Sequence, residues 1–288
     1  MIIDSHAHYS HRKFENSFTY LDFIDGRYVV NESKDIFELF GYFDKIGIKY
    51  VIEPAIDFDS NKKLLEISKN SNGRVLAAIG LHPTRAINTN LKKQKELSSF
   101  VENEVVVAIG ETGLDFHFDR KKQHRIKQIV WFMYQIRLAE KYSLPLILHI
   151  RDADKTAIRI LKANKNKING GVVHCFNGDI KTARKYLNLG LYIGIGGALL
   201  QDENSQQLCL AVKNIPIDRI LIETDSPYVL PKTELENIMS KKKLHKICNT
   251  SLILPAVIEK IAELKQVDCK YVEDTVYNNT IKLFRIER

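Results

Sequence analysis

Short, almost wholly apolar runs of β-prone residues recur along this chain, and amphipathic stretches separate them. The runs lie at 2–4, 50–53, 75–79, 105–109, 145–149, 171–174, 191–195 and 220–223. A strand that is apolar at successive positions must be covered on both faces, because alternate side chains point to opposite sides. The stretches at 34–46, 60–70, 121–142, 154–163, 180–188 and 205–213 instead space their apolar residues at helical intervals. Strand and helix in strict alternation produce parallel pairing. Eight such units predict an α/β fold of the (β/α)8 TIM-barrel class. A length of 288 residues suits one barrel, so a single domain over 1–288 is expected, without linker or low-complexity tract. After the last strand an irregular segment, 226–249, precedes a helix at 254–265, and its basic run Lys241-Lys242-Lys243 reads as a solvated loop. The segment 12–33 mixes aromatic and polar residues without a clean period and is expected to be a long first βα loop over the barrel mouth.

No apolar run approaches the roughly 20 residues that cross a bilayer, so no membrane association is expected. The N-terminus has no basic region ahead of its apolar residues and does not read as a secretory signal. Cys175, Cys209, Cys248 and Cys269 are widely spaced, which predicts free thiols in a reducing cytoplasm rather than a disulfide frame. The formal net charge of +8 suits a polyanionic partner such as nucleic acid. A general enrichment in Ile, Lys and Asn would raise the charge equally well, so charge supports that partner without deciding it.

The residues at the ends of the apolar runs carry the chemistry. The first run is followed by His6 and His8, which share one side of an extended chain. The third leads to Gly80-Leu81-His82-Pro83, and the fourth to Glu111 and Asp115. The fifth ends in His149, with Arg151 two residues on; the sixth ends in His174, and the eighth leads to Asp225. In this fold the C-terminal strand ends line the active site. Each residue alone has a plain structural role open to it: Asp115 or Asp225 as a turn or helix cap, Glu111 as a buried ion-pair partner. Together, unpaired buried polar groups cost about 2–7 kcal/mol each, and a metal site resolves that cost most simply. Four imidazoles and two carboxylates suit a centre of two divalent ions (Mg, Mn, Fe or Zn) with no thiolate. Two close ions need a bridge, and Glu111 is the candidate. Cys175 follows His174 and, by alternation, is expected to point into the core.

The ordered motifs Asp4-Ser-His6-Ala-His8, Gly80-Leu-His82-Pro83, Gly110-Glu-Thr-Gly-Leu-Asp115, Leu144-Pro-Leu-Ile-Leu-His149-Ile-Arg151-Asp152-Ala153, Gly170-Gly-Val-Val-His174-Cys-Phe176 and Glu223-Thr-Asp225-Ser-Pro227 span the chain, and Asn278-Asn279-Thr-Ile-Lys-Leu-Phe284 continues the pattern near its end. This set resembles the TatD family of metal-dependent deoxyribonucleases, within the amidohydrolase-like barrels. The resemblance implies that His6, His8, Glu111 and Asp225 hold one ion, and that Glu111, His149 and His174 hold the other. It implies hydrolysis of DNA phosphodiester bonds, of single strands or 3′ ends, by in-line attack of an activated water. Asp225 and Glu111 are then the catalytic carboxylates, with Asp225 orienting or deprotonating the water. His82 and Arg151 are candidates to contact phosphate oxygens, with loop packing the alternative for His82 and pairing to Asp152 or Glu111 the alternative for Arg151. Asp4 is expected to orient a ligand His from behind. The sequence leaves the oligomeric state open, a monomer being one form it allows. Two rim segments depart from the family pattern. Residues 12–33 are longer than the family's first loop, and at 241–252 only Asn249 of an Arg-Gly and Asn-Glu-Pro stretch is kept.

Two other functions compete. A phosphoesterase, lactonase or amidase acting on a small molecule would use the same barrel, since fold does not fix function; a lysine bridging the metals would favour it, whereas Glu111 stands here. A non-catalytic nucleic-acid binder would account for the basic charge but not for six clustered metal ligands.

Overall fold

The computed structural model describes residues 1–117, 121–201, 205–231, 235 and 244–286. Its strands are β1 (Ile2–Asp4), β2 (Phe18–Ile24), β3 (Arg27–Ser33), β4 (Ile48–Pro54), β5 (Val75–Ile79), β6 (Val106–Asp115), β7 (Leu146–Arg151), β8 (Gly171–Val173), β9 (Tyr192–Ile195), β10 (Ile220–Ile222) and β11 (Ile247–Cys248). Eight of them form one sheet in the order β1-β4-β5-β6-β7-β8-β9-β10, with helices between. This is the (β/α)8 class expected from the alternation. Strands β1, β8, β9 and β10 are buried at every residue, as apolar runs covered on both faces must be.

The helices are α1 (Ile36–Ile46), α2 (Phe58–Asn70), α3 (Pro83–Ala86), α4 (Gln94–Phe100), α5 (Lys122–Tyr142), α6 (Asp154–Ala163), α7 (Ile180–Leu187), α8 (Gln206–Asn214), α9 (Leu254–Lys265) and α10 (Cys269–Phe284). Helices α3, α4 and α10 have no counterpart in the amphipathic pattern. In α10 the interior residues Tyr271, Thr275, Asn278, Asn279 and Thr280 are weak helix formers. What holds it is burial of Val272, Val276, Tyr277, Leu283 and Phe284.

Internal packing divides the chain into two compact units, the first comprising 1–52, 175–183 and 194–280. Here β1 and β10 run side by side. Ser5 donates from its backbone to Ile222 (3.0 Å) and Asp225 to His6 (2.8 Å), and the pairing continues in a parallel bridge between Ala7 and Ser226. Asp35 caps α1 by accepting from the Phe37 and Glu38 amides, both at 2.9 Å.

The segment 12–33 is not a loop. It makes one 3-10 turn, Arg12–Phe14, and then an antiparallel hairpin of β2 and β3, to which β11 adds in parallel. The turn is Asp25-Gly26, both left-handed at φ 49° and 75°. Asp-Gly is the dipeptide that a two-residue hairpin turn demands, and that signal was present in the sequence. The aromatic residues that blurred the periodicity build a core instead: Tyr9 packs on Phe14 and Phe40, and Phe14 on Phe18. Segment 226–249 contributes to the same unit, because Leu230, Leu235, Leu244 and Ile247 bury with Leu21 and Ile253. The Lys241-Lys242-Lys243 run lies outside the described residues. Cys175 is half-buried rather than in the core. Its φ of 46° takes the chain out of the extended conformation on which the alternation relied, and its amide donates to the Glu223 carboxylate.

The second unit comprises 53–174, 184–193 and 281–288. Its strand β6 continues to Asp115, well past the end of the apolar run. The ladder with β7 keeps it extended: Thr112 pairs with Leu148, Gly113 with His149 and Asp115 with Arg151, with an irregularity between Ile109 and Thr112 where Glu111 stands. Gly113 has φ 137°, and a Cβ there would lie 2.1 Å from the His149 carbonyl oxygen. Gly113→Ala is expected to separate the two strands and to lower stability by about 3 kcal/mol or more, which denaturant titration would read; an unchanged midpoint would contradict this.

Candidate metal centre

The residues singled out at strand ends assemble into two sets, one in each unit. In the first unit, His6 and His8 alternate along the extension of β1, so both rings fall on one side. Their Nε2 atoms lie 3.1 Å apart with the rings edge to face. The Asp225 Oδ1 atom lies 3.5 Å from His6 Nε2 and 3.4 Å from His8 Nε2. Asp225 sits at φ 55°, a left-handed conformation that Asp tolerates better than most residues. Its position is tied to the imidazoles through the backbone, since its amide donates to the His6 carbonyl and the His8 amide donates to Ser226 (2.8 Å each).

Asp4 is fully buried behind this trio. It accepts from the His6 amide (3.2 Å), the Thr224 amide (3.1 Å), Thr224 Oγ1 (2.6 Å) and Ser251 Oγ (2.6 Å). Burial pushes its carboxyl up to about 6 against those hydrogen bonds. These contacts pin the His6 and Thr224 backbone, where the sequence suggested a carboxylate orienting an imidazole. Asn249 does similar work one layer further out. Its side-chain amide donates to the Thr224 carbonyl (2.9 Å) and the Val229 carbonyl (3.3 Å), closing the loop that carries Asp225.

In the second unit three imidazoles converge on one carboxylate oxygen. Glu111 Oε1 lies 2.8 Å from His149 Nδ1, 2.8 Å from His174 Nε2 and 3.5 Å from His82 Nε2. His149 Nδ1 and His174 Nε2 are themselves 3.1 Å apart. The other face of the His149 ring is held by Asp115 Oδ2 at 3.2 Å, the carboxylate–imidazole arrangement that orients metal-ligating histidines. Burial alone would raise the Glu111 carboxyl, but the neighbouring imidazoles, His174 and His82 foremost, hold it well below the carboxylate range. His149 shows the complementary effect: burial would lower it, yet hydrogen bonds to Asp115 and Glu111 raise it to about 9.

His82 differs from its neighbours. Its Nδ1 accepts from the Thr84 amide (3.2 Å) and lies 2.7 Å from Thr84 Oγ1. Burial lowers its pKa to about 3, against the opposing pull of the Glu111 charge. A neutral ring that accepts at Nδ1 carries its proton on Nε2. His82 therefore offers an N–H donor beside Glu111 while also capping α3. Arg151 is exposed at the end of β7, two residues beyond His149 and so on the same side of the strand. Asp152, its alternative partner in the sequence, pairs with His117 at 2.7 Å.

Several residues that position these groups were not singled out in the sequence. Gln128 and Gln135 stand seven residues apart on α5, hence on one face, and both are buried. Gln128 accepts from the Asp115 amide (2.8 Å) and donates to its carbonyl (2.7 Å). Gln135 does the same for Leu81, at 2.8 and 3.1 Å, and Asn61 for Gly80, at 3.2 and 2.8 Å. The strand ends bearing Asp115 and His82 are thus gripped by side-chain amides in place of a backbone partner. The signal available was polar residues at helical spacing within an apolar face. Gln135→Ala leaves both polar groups of the Leu81 backbone unsatisfied; a loss of about 2 kcal/mol is expected in calorimetry, with activity falling alongside, and a change below about 0.5 kcal/mol would contradict the grip.

Imidazole nitrogens and carboxylate oxygens, with no thiol among them, are donors for a divalent cation. Strand-end sets of this kind on a (β/α)8 sheet define a metal-dependent hydrolase. The model of the TatD-related DNase family matches residues 3–285, and the chain belongs to that family. The uncharacterized metal-dependent hydrolase YabD of Bacillus subtilis (strain 168) is 31% identical over 286 residues, 99% of this chain and 100% of that one. The 3'-5' ssDNA/RNA exonuclease TatD of Edwardsiella piscicida is 30% identical over 254 residues, 88% of this chain and 95% of that one. Among solved structures, a hydrolase TatD family protein from Entamoeba histolytica aligns with a TM-score of 0.80 at 25% identity, over 98% of this chain and 97% of that one.

Proposed function

We propose that this hydrolase cuts phosphodiester bonds in DNA, single strands or 3′ ends foremost, with two divalent ions bound. His6, His8 and Asp225 are the protein donors to one; Glu111, His149 and His174 are donors to the other. The observation that carries this assignment is the convergence of His149 Nδ1 and His174 Nε2 on Glu111 Oε1, at 2.8 Å each. Similarity to exonucleases named for ssDNA and RNA supports the substrate class, and the net charge of +8 is in keeping with it. Mg, Mn or Zn would supply Lewis acidity and lower the pKa of a nearby water. Asp225 orients that water and takes its proton. The His82 Nε2–H donates to a phosphoryl oxygen, and Arg151 offsets the charge that grows on the phosphate. Asp115 keeps the His149 ring from turning. One chain carries every donor named, so the site needs no second copy, and the chain works in the cytoplasm, where its free cysteines stay reduced. Among the described residues no helix is long and apolar enough to cross a membrane.

The decisive experiment is digestion of end-labelled single- and double-stranded DNA with added Mg, Mn or Zn, against a panel of small esters and lactones. Stepwise shortening of a single strand, abolished by EDTA, is the expected result. Turnover indifferent to EDTA, or confined to the small-molecule panel, would overturn the proposal.

A further inference from the structure

Beside the first donor set lies an aromatic pair that the hydrolytic chemistry does not use. Two short turns lead to it, each starting from a member of the set. The His11 amide donates to the His8 carbonyl at 3.1 Å, and the Tyr228 amide donates to the Asp225 carbonyl at 2.8 Å. The two turns meet ring to ring: His11 and Tyr228 lie edge to face with centroids 5.5 Å apart, and His11 Nε2 is 3.1 Å from the Tyr228 hydroxyl. Because His8 and Asp225 also face each other at 3.4 Å, the four residues close a circuit. Three backbone steps at about 3.8 Å each keep the Tyr228 Cα within about 11 Å of that of Asp225.

The pair is built for rigidity. His11 Nδ1 accepts from the Lys13 amide at 3.2 Å, so its neutral ring carries the proton on Nε2 and donates it to the Tyr228 oxygen. Tyr228 remains 46% exposed. A large aromatic ring so exposed, yet clamped by a backbone hydrogen bond at one end and an imidazole at the other, has lost the freedom that ordering on a ligand would otherwise remove. Arg12 and Lys13, both exposed, follow His11 directly. An aromatic face whose clamp is followed in sequence by two exposed cations offers what single-stranded nucleic acid selects, stacking for the base and charge for the phosphates.

We propose that Tyr228, held by His11, is the stacking platform for a base near the scissile phosphodiester, with Arg12 and Lys13 following the backbone. This rests on the nuclease assignment above, and it names what that assignment leaves out: how a strand is presented without reading its sequence. Tyr228 is a substrate-binding residue and His11 a positioning residue.

The test walks one abasic residue along a short single-stranded oligonucleotide and measures KM at each position for the full chain, Tyr228→Ala, Tyr228→Phe and His11→Ala. In the unaltered protein KM is expected to rise about tenfold when the missing base is the stacked one. Tyr228→Ala should no longer distinguish that position, Tyr228→Phe should still do so, and His11→Ala should fall between. A second readout needs no turnover: 2-aminopurine placed at that position should lose fluorescence on binding EDTA-treated protein, and Tyr228→Ala should lose this quenching. If Tyr228→Ala keeps the positional discrimination, or quenches as well as the unaltered protein, the platform is overturned. If the unaltered protein cuts no oligonucleotide with any of the three metals, the nuclease assignment fails, and the 2-aminopurine signal still decides the platform.

Discussion

Replacing Glu111 by glutamine is expected to abolish hydrolysis, lowering kcat by about 10³-fold or more, since charge stabilisation by the bound cation is worth several kcal/mol. The substitution keeps the volume of the side chain but removes the charge on which three imidazoles converge. Metal content by mass spectrometry should fall in parallel. The same variant should change how metal-stripped protein responds to pH. His149 is raised from 6.5 to about 9, so the stability it lends is fully present below about 6.5 and lost as pH climbs through 9. A rise of that size corresponds to about 3 kcal/mol. Denaturation midpoints of the stripped protein should therefore decline across that window. With Glu111→Gln the decline should shrink without vanishing, because Asp115 still holds the far side of the ring. Full metal-dependent activity in Glu111→Gln would refute the role assigned to it.

Asp225→Asn should cost between about 10² and 10⁴ in kcat while leaving the fold intact. Asn accepts the left-handed conformation that Asp225 adopts at φ 55°. The amide that donates to the His6 carbonyl is also unchanged. What disappears is the negative charge 3.4–3.5 Å from both imidazoles, and with it the group proposed to take the proton. Circular dichroism and the unfolding midpoint should match those of the parent; activity at or near the parental level would exclude Asp225 from the chemistry. Asp225→Ala is a poorer test, because it adds backbone strain to the loss of charge.

The two substitutions differ in what the surrounding structure can absorb. Glu111 is 3% exposed, and losing its charge leaves His149, His174 and His82 facing one another with no anion between them, where an uncompensated charge is costly. Asp225 stands at a half-open loop, pinned by its backbone and by Asn249 behind it, so its side chain can change without disturbing that frame.

Much of this protein was legible from local pattern alone. Apolar runs buried on both faces have one economical arrangement, the parallel sheet, so the eight strands and their order follow from patterning. The pairs His6/His8 and His149/Arg151 could be placed on common faces because the period of an extended chain is two. Where the period broke, inference from local pattern failed for identifiable reasons. Strand β6 runs on through a polar stretch because β7 supplies the partners, and a partner is not visible in one strand's own residues. Cys175 turned away from its alternate position because the chain bends into the left-handed region there. The hairpin at 18–33 was signalled by Asp25-Gly26, but its aromatic residues hide the alternation, Phe18 packing on Phe14 ahead of the hairpin. Only tertiary structure could decide which buried polar groups hold the site. Gln128, Gln135 and Asn61 look like ordinary helix residues until the backbone atoms they grip, Asp115, Leu81 and Gly80, are brought beside them from 13, 54 and 19 residues away. The same holds for the circuit of His8, His11, Tyr228 and Asp225: its halves lie 217 residues apart along the chain, and hydrogen bonding across that separation exists only once the strands have paired.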